Sequence, residues 1–186
     1  MLRAVPGSRL ASTVYALITP FLQLCLLNRG PQDLPASRLL LGLALTGYLL
    51  VGVAMGWPYY GLVVSVAQSL VEIGILVGFT YLVLRWRRHP GRFVQTLTAL
   101  AGVGVVLGAL LLPLVYSMYR AELLGESPEL PALAYIAVFG WLVVAYGQIF
   151  RHALALKHLG LGILVAVAFV VLASGSIELL FSGITP

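Results

Sequence analysis

The sequence is poor in charge, and this scarcity excludes an ordinary soluble domain. Charged residues make up 9% of the 186 positions, while 61% are hydrophobic and the mean hydropathy is +1.03. Soluble domains carry roughly 25% charged residues. We therefore expect an all-α, polytopic membrane helix bundle that forms one integral membrane domain over residues 1–186.

Cysteine, aspartate and catalytic patterns are also scarce. The one cysteine, Cys25, excludes an intramolecular disulfide and a cysteine-based metal cluster, and its apolar surroundings predict a buried, inert thiol. The one aspartate, Asp33, excludes an intramembrane protease that uses paired aspartates. The sequence has no H-E-x-x-H, no G-x-S-x-G and no phosphate-binding glycine loop. We therefore predict a non-enzymatic protein without a cofactor or a metal site.

Five apolar runs have the length of membrane-spanning helices. They are predicted at about 39–57, 60–84, 93–118, 132–150 and 159–181, with a tight aromatic turn at 57–60 between the first two. An earlier run at 10–27 contains Pro20 and several polar residues. There we predict an amphipathic or re-entrant helix at the cytoplasmic interface, and a sixth span is the alternative.

Basic residues lie almost wholly between the apolar runs. If residues 10–27 do not span, ten of the eleven lysines and arginines fall on the amino-terminal side and Arg120 falls opposite. The positive-inside rule then predicts a cytoplasmic amino terminus and a carboxyl terminus on the opposite side of the membrane. The compact loops suit a bacterial inner membrane, in which that opposite side is the periplasm. Because the pattern of basic residues reports orientation, nucleic acid is not an expected partner. The cations either determine topology alone or also contact lipid phosphates. The candidates are Arg85, Arg87, Arg88, Arg92, Arg151 and Lys157.

A polar stripe crosses the second apolar run at helical spacing. It consists of Ser65, Gln68, Ser69 and Glu72. Glu72 lies midway along the run, so we place it near the bilayer midplane. An ionised carboxylate there costs roughly 3 kcal/mol, and no lysine or arginine is expected at that depth. We therefore expect a mostly protonated carboxyl that is hydrogen-bonded to Tyr48 or Trp141.

Two interpretations of the stripe stay open. Glu72 is either a buried clasp that fixes helix register, or a proton or cation site with Gln68, Ser65 and Ser69 as accessory ligands. A water-accessible cavity that reaches Glu72 favours transport, whereas a dry contact with Tyr48 or Trp141 favours the clasp.

Two small-xxx-small pairs predict surfaces of close helix packing. Gly74 and Gly78 lie nearly opposite the polar stripe, so we expect this helix at the centre of the bundle. Gly104 and Gly108 form the second pair, on the third run.

The layout resembles that of the small five-span membrane proteins grouped as Yip1-like. The shared features are an amphipathic stretch before the spans, five closely linked helices and a Pro-rich entry, here N-R-G-P-Q-D-L-P at 28–35. Residues 29–37 are also similar to a segment of small proteobacterial inner-membrane proteins. The resemblance implies a membrane-organising or accessory role. The lack of catalytic patterns, the very short loops and the glycine-rich faces lead us to predict an accessory subunit, scaffold or membrane-organising protein that works by helix packing. Its expected partners are the bilayer, other membrane subunits or a second copy. The alternative is a small proton- or cation-coupled carrier or channel that uses Glu72.

Overall fold

A computed structural model describes residues 18–183 of the chain. Within this range every regular element is helical. The long helices are α1 Arg38–Trp86, α2 Phe93–Leu124, α3 Glu129–Ala153 and α4 Leu159–Phe181, with 3-10 turns at Pro31–Asp33 and Pro90–Arg92. All four long helices have the length and apolarity to cross a membrane. The predicted all-α membrane bundle is confirmed at this level.

Helix α1 consists of two helical arms joined at Gly61, whose φ of +73° is not helical. We call residues 38–60 the first arm and residues 62–86 the second arm. A Cβ added at Gly52 would lie 2.7 Å from the Oγ of Ser69, and one added at Gly56 would lie 2.7 Å from the Oγ of Ser65. The arms therefore run antiparallel in close contact, which glycine at these two positions permits.

The predicted aromatic turn at 57–60 is wrong in position, because the helix continues through Pro58 and reverses only at Gly61. Proline has no N–H for the carbonyl four residues earlier, which belongs to Ala54. The hydroxyl of Tyr116 in α2 donates to that carbonyl at 3.1 Å. Since the orphaned acceptor is satisfied, the first arm extends past the proline, and Gly61 supplies the left-handed backbone of the reversal.

The other predicted spans are close to the observed helices but mostly shorter. Helix α2 runs six residues beyond 118 to Leu124, where Gly125 ends it in a left-handed conformation. Helix α3 extends the 132–150 prediction at both ends, whereas α4 has the predicted bounds 159–181. Backbone hydrogen bonds do not depend on apolar composition, so helices continue into the polar residues beyond the apolar run.

Helix α2 occupies the centre of the bundle. It has twelve buried residues, including an unbroken run from Thr96 to Gly104, so neighbours cover it on every side there. Both arms of α1 together have six. The expectation that the 60–84 helix is central is therefore wrong.

The two glycine pairs explain this difference. A Cβ added at Gly108 would lie 2.7 Å from the side chain of Val51, and Gly104 touches the ring of Tyr48, so α2 packs tightly on the first arm. Within the described chain, nothing lies within 4 Å of a Cβ added at Gly74 or Gly78. That pair therefore faces away from the other helices described here, over residues 18–183.

The segment before α1 enters the bundle. Residues 18–25 are helical, while residues 10–17 of the predicted interfacial helix lie outside the described range. The ring of Phe21 fills the space beside Gly102 in α2, and Cys25 is 5% exposed. Gly102 lies about 14 Å along α2 from Phe93 at 1.5 Å per residue. The predicted burial of the Cys25 thiol is confirmed.

Candidate functional site

Glu72 is hydrogen-bonded across the two arms of α1. The Tyr48 hydroxyl donates to Oε1 of Glu72 at 2.6 Å, because the antiparallel pairing brings these residues to the same level. This predicted contact is present. The alternative partner is wrong, since Nε1 of Trp141 donates at 2.8 Å to the carbonyl of Cys25. Trp141 lies on the face of α3 that packs against the segment 18–25.

Three adjoining cavities lead from one end of the bundle to Glu72. The inner cavity has a volume of about 180 Å³, and Tyr48 and Glu72 line it. The middle cavity of about 420 Å³ shares Glu72 and Tyr135 with the inner cavity. The outer cavity, which we call the vestibule, has about 790 Å³ and shares Tyr59 and Gln68 with the middle cavity. The shared lining residues show that each of these cavities adjoins the next.

The vestibule is acidic. Glu122 and Glu178 line it, and no lysine or arginine of the described chain does. A cleft whose charged groups all have the same sign, and whose walls are otherwise apolar, concentrates counter-ions. The vestibule lies beside Tyr59, near the reversal at Gly61. It is therefore at the opposite end of the bundle from the arginines of residues 85–92. The mouth of the series of cavities is therefore suited to attract cations.

Tyr146 of α3 contributes an unsatisfied polar atom to the inner cavity. Its side chain is 2% exposed, and its hydroxyl has no hydrogen-bond partner among the described residues. The Tyr48 phenol is close enough to interact with this hydroxyl, although the two groups do not have the geometry of a hydrogen bond. An unpaired buried hydroxyl costs about 1–3 kcal/mol. The inner cavity thus has a polar atom available to a ligand.

The groups that face the Glu72 carboxyl come from several elements. Within the described chain, the titratable ones that share a cavity with Glu72 are the phenols of Tyr48 and Tyr59 on the first arm and of Tyr135 and Tyr146 on α3. Helices α2 and α4 contribute only small or apolar residues to the inner and middle cavities. No cation of the described chain is therefore placed to neutralise an ionised Glu72.

The predicted polar stripe divides into two parts. Gln68 and Glu72 line cavities, and Ser69 lines the middle cavity while packing against Gly52. The hydroxyl of Ser65 donates at 2.7 Å to the carbonyl of Gly61, and the residue is 1% exposed. Ser65 is therefore part of the packing between the arms and does not face the cavities.

The aromatic residues that α3 contributes to the inner cavity were not predicted from the sequence. Tyr135, Phe139 and Tyr146 all line the inner cavity. They recur at i, i+4 and i+11, a spacing that puts them on one helical face. The rings of Tyr135 and Phe139 are stacked, with centroids 5.9 Å apart. This aromatic periodicity is the signal that could have identified them.

At the basic end, two of the predicted lipid-phosphate residues cap helix α3. Nη1 of Arg92 donates to the carbonyls of His152 and Ala153 at 3.0 and 3.1 Å. Nη2 of Arg87 donates at 3.4 Å to the carbonyl of Leu154. Carbonyls at a helix C-terminus lack helical partners and attract cations. Arg87 and Arg92 therefore attach the link between α1 and α2 to the C-terminal end of α3.

The other four cations contact neighbours in their own helices or point outward. Arg85 donates to the Tyr81 hydroxyl at 3.2 Å, and Arg151 donates to Oε1 of Gln148 at 3.4 Å. Arg88 and Lys157 are exposed. Contact of these side chains with lipid phosphates stays a prediction.

Comparison with protein families, with curated proteins and with solved structures finds no match to this chain. The resemblance of layout to Yip1-like proteins therefore stays a prediction.

Proposed function

We propose that this protein is a small membrane carrier that exchanges a cation for a proton at Glu72. The observation that carries the proposal is the series of adjoining cavities that lie between the acidic vestibule and the Glu72 carboxyl. A clasp between helices requires only the contact between Tyr48 and Glu72. Two cavities lined by Glu72, with carboxylates in the adjoining vestibule, favour transport.

The chemistry of the exchange follows from the position of Glu72. An unpaired carboxylate in the middle of a bilayer is costly, so the group is stable either as a protonated acid or as a carboxylate paired with a cation. When a monovalent cation enters, the carboxyl releases its proton to water in the vestibule and pairs with the cation. One positive charge leaves and one enters. The hydroxyl of Tyr48 can donate to the carboxyl in both states, which keeps the side chain in place.

The proposed topology has five crossings. The two antiparallel arms of α1 each have the length of a span, and α2, α3 and α4 supply the other three. The excess of basic residues at one end supports a cytoplasmic amino terminus. The host membrane we propose is a bacterial inner membrane, which the compact loops suit. The vestibule then opens to the periplasm. The depth of Phe21 beside Gly102 supports a re-entrant helix before the first span.

The proposal predicts that water reaches the vestibule and the middle cavity from the periplasm. A cysteine in place of Gln68 should react with a membrane-impermeant maleimide added outside intact cells, because the side chain lines both cavities. The native thiol should contribute little background, since burial raises the pKa of Cys25 to about 11 and leaves almost no thiolate.

Leu70→Cys is the matched control, because this residue is on the same arm and is 54% exposed on the apolar surface. It should remain unlabelled in lipid, where maleimide finds no ionised thiol. Labelling of Gln68→Cys only after permeabilisation would reverse the proposed orientation. A lack of labelling on either side would mean that the path is dry and would refute the proposal.

The second candidate is a non-enzymatic accessory subunit, scaffold or membrane-organising protein. The observation in its favour is the outward-facing pair Gly74 and Gly78, against which no helix of residues 18–183 packs. We expect oxidative cross-linking of Gly74→Cys in native membranes to give a discrete adduct with a second copy or another subunit. Leu164→Cys, an exposed position on α4, serves as the control. Equal, diffuse cross-linking at both positions would leave the glycine face as ordinary lipid-exposed surface.

A further inference from the structure

The inner cavity brings together three kinds of group that recognise the same chemistry. It has one carboxyl, from Glu72, one buried hydroxyl without a partner, from Tyr146, and the rings of Tyr48, Tyr135 and Phe139 as walls. A carboxylate pairs with a cation, and aromatic rings attract cations through their quadrupoles. Aromatic walls beside a carboxylate are typical of sites for ammonium ions.

We infer that the cation bound at Glu72 is a small organic ammonium ion. This inference rests on the proposed function, since it names the class of cation that the exchange would carry. The ammonium group pairs with the Glu72 carboxylate and donates an N–H to the Tyr146 hydroxyl, while the organic part contacts the aromatic walls.

The size of the cavity supports this class. Its volume is about 180 Å³, and an apolar cavity of about 150 Å³ is known to hold one benzene molecule. A drug-sized ligand requires at least about 300 Å³. An amine that carries one ring or a few methyl groups therefore fits, whereas a bare proton needs no such space.

The available ligands argue against a divalent metal ion as the substrate. Calcium and magnesium take about six to eight oxygen ligands. The inner cavity offers the carboxyl of Glu72 and the phenol oxygens of Tyr48, Tyr135 and Tyr146. The described chain contains no group of three or more His, Cys, Asp or Glu side chains placed to hold a metal ion. The aromatic rings, by contrast, offer an organic cation both cation–π attraction and apolar contact.

The test is isothermal titration calorimetry of the wild-type protein in lipid nanodiscs, with empty nanodiscs as the blank. Benzylammonium and benzyl alcohol have the same shape and differ in charge, so the charge requirement is measured without any variant. We expect benzylammonium and tetramethylammonium to bind and benzyl alcohol to give no heat above the blank. Sodium and potassium chloride complete the set. Binding should release close to one proton, which is measured from heats in buffers of different ionisation enthalpy.

Two variants assign the roles of the polar groups. Glu72→Gln should lower the binding affinity for both organic cations by about a hundredfold, because it leaves the bound cation buried without a counter-charge. Tyr146→Phe should weaken benzylammonium about tenfold, the value of one hydrogen bond to a charged group. It should leave tetramethylammonium unchanged, because that ion has no N–H to donate. A purely structural role of Tyr146 would weaken the two ions equally.

The outcomes separate this inference from the proposed function. Equal binding of benzyl alcohol and benzylammonium, or tighter binding of sodium than of either organic cation, would overturn the inference. Sodium-driven proton movement that depends on Glu72, without binding of an organic cation, would leave the exchange proposal intact and this one refuted. Charge-selective binding without any flux would support the ammonium-binding site at Glu72 and refute the proposed carrier function.

Discussion

Proteoliposomes that contain Glu72→Gln are expected to lose cation-driven proton movement, down to the rate of protein-free vesicles. The glutamine amide has nearly the size of the carboxyl and can still accept the hydrogen bond that Tyr48 donates at 2.6 Å. It can neither release a proton nor pair with a cation as an anion. The measurement uses a pH-sensitive dye inside the vesicles and an outward or inward gradient of tetramethylammonium, sodium or potassium.

The control for this prediction is Glu178→Gln. Glu178 lines the vestibule and is exposed, so it can attract cations without binding them at depth. Its replacement should lower the rate modestly at low salt, and the difference should disappear at high salt because exposed charges are screened. Undiminished proton movement in a folded Glu72→Gln protein would exclude exchange at this carboxyl and return Glu72 to the role of a clasp.

Gly162→Leu is expected to prevent stable packing of α4 on α3. The backbone carbonyl of Gly147 touches the position that a Cβ at Gly162 would occupy, and Cβ of Arg151 would lie 3.0 Å away. Forcing atoms into a packed core costs about 1–3 kcal/mol when side chains can adjust. A backbone oxygen cannot rotate away, so we expect a loss at or above the upper end of that range. Denaturant unfolding in micelles measures it.

Gly160→Leu is the matched control, because it adds the same side chain two residues away. Within the described chain nothing lies within 4 Å of a Cβ at Gly160, so its unfolding should match that of the wild type. Gly162→Ala should be destabilising as well, since the Cβ itself makes the collision. Wild-type stability of both Gly162 variants would mean that the two helices do not approach at this point.

The sequence was sufficient for the properties that depend on single segments. Runs of apolar residues predict membrane helices because transfer into a bilayer is summed residue by residue along the helix. The asymmetry of basic residues and the midpoint position of Glu72 are likewise local properties. Periodicity also placed Gln68 and Glu72 on one face, and both line cavities in the folded chain.

Other features depended on residues far apart in the chain. Pro58 by itself predicts the end of a helix. The helix continues through it because the Tyr116 hydroxyl donates a hydrogen bond to the carbonyl of Ala54. The glycine pairs read as equivalent, yet Gly108 packs on Val51 and Gly74 faces outward. Spacing within one helix contains no information about which neighbour covers which face, since that choice is made by contacts between helices.

What the sequence by itself determined is the class of the molecule, an all-α bundle of apolar helices. It also predicted a carboxyl near the middle of one span and most of the lysines and arginines on one side. What only the tertiary structure decided is the environment of that carboxyl. The inner cavity exists because the antiparallel arms bring Tyr48 to Glu72, while α3 is rotated so that Tyr146 and Tyr135 face the same space. Rotation and register follow from close packing at a few glycines, and packing is a property of pairs of surfaces, which no single helix encodes.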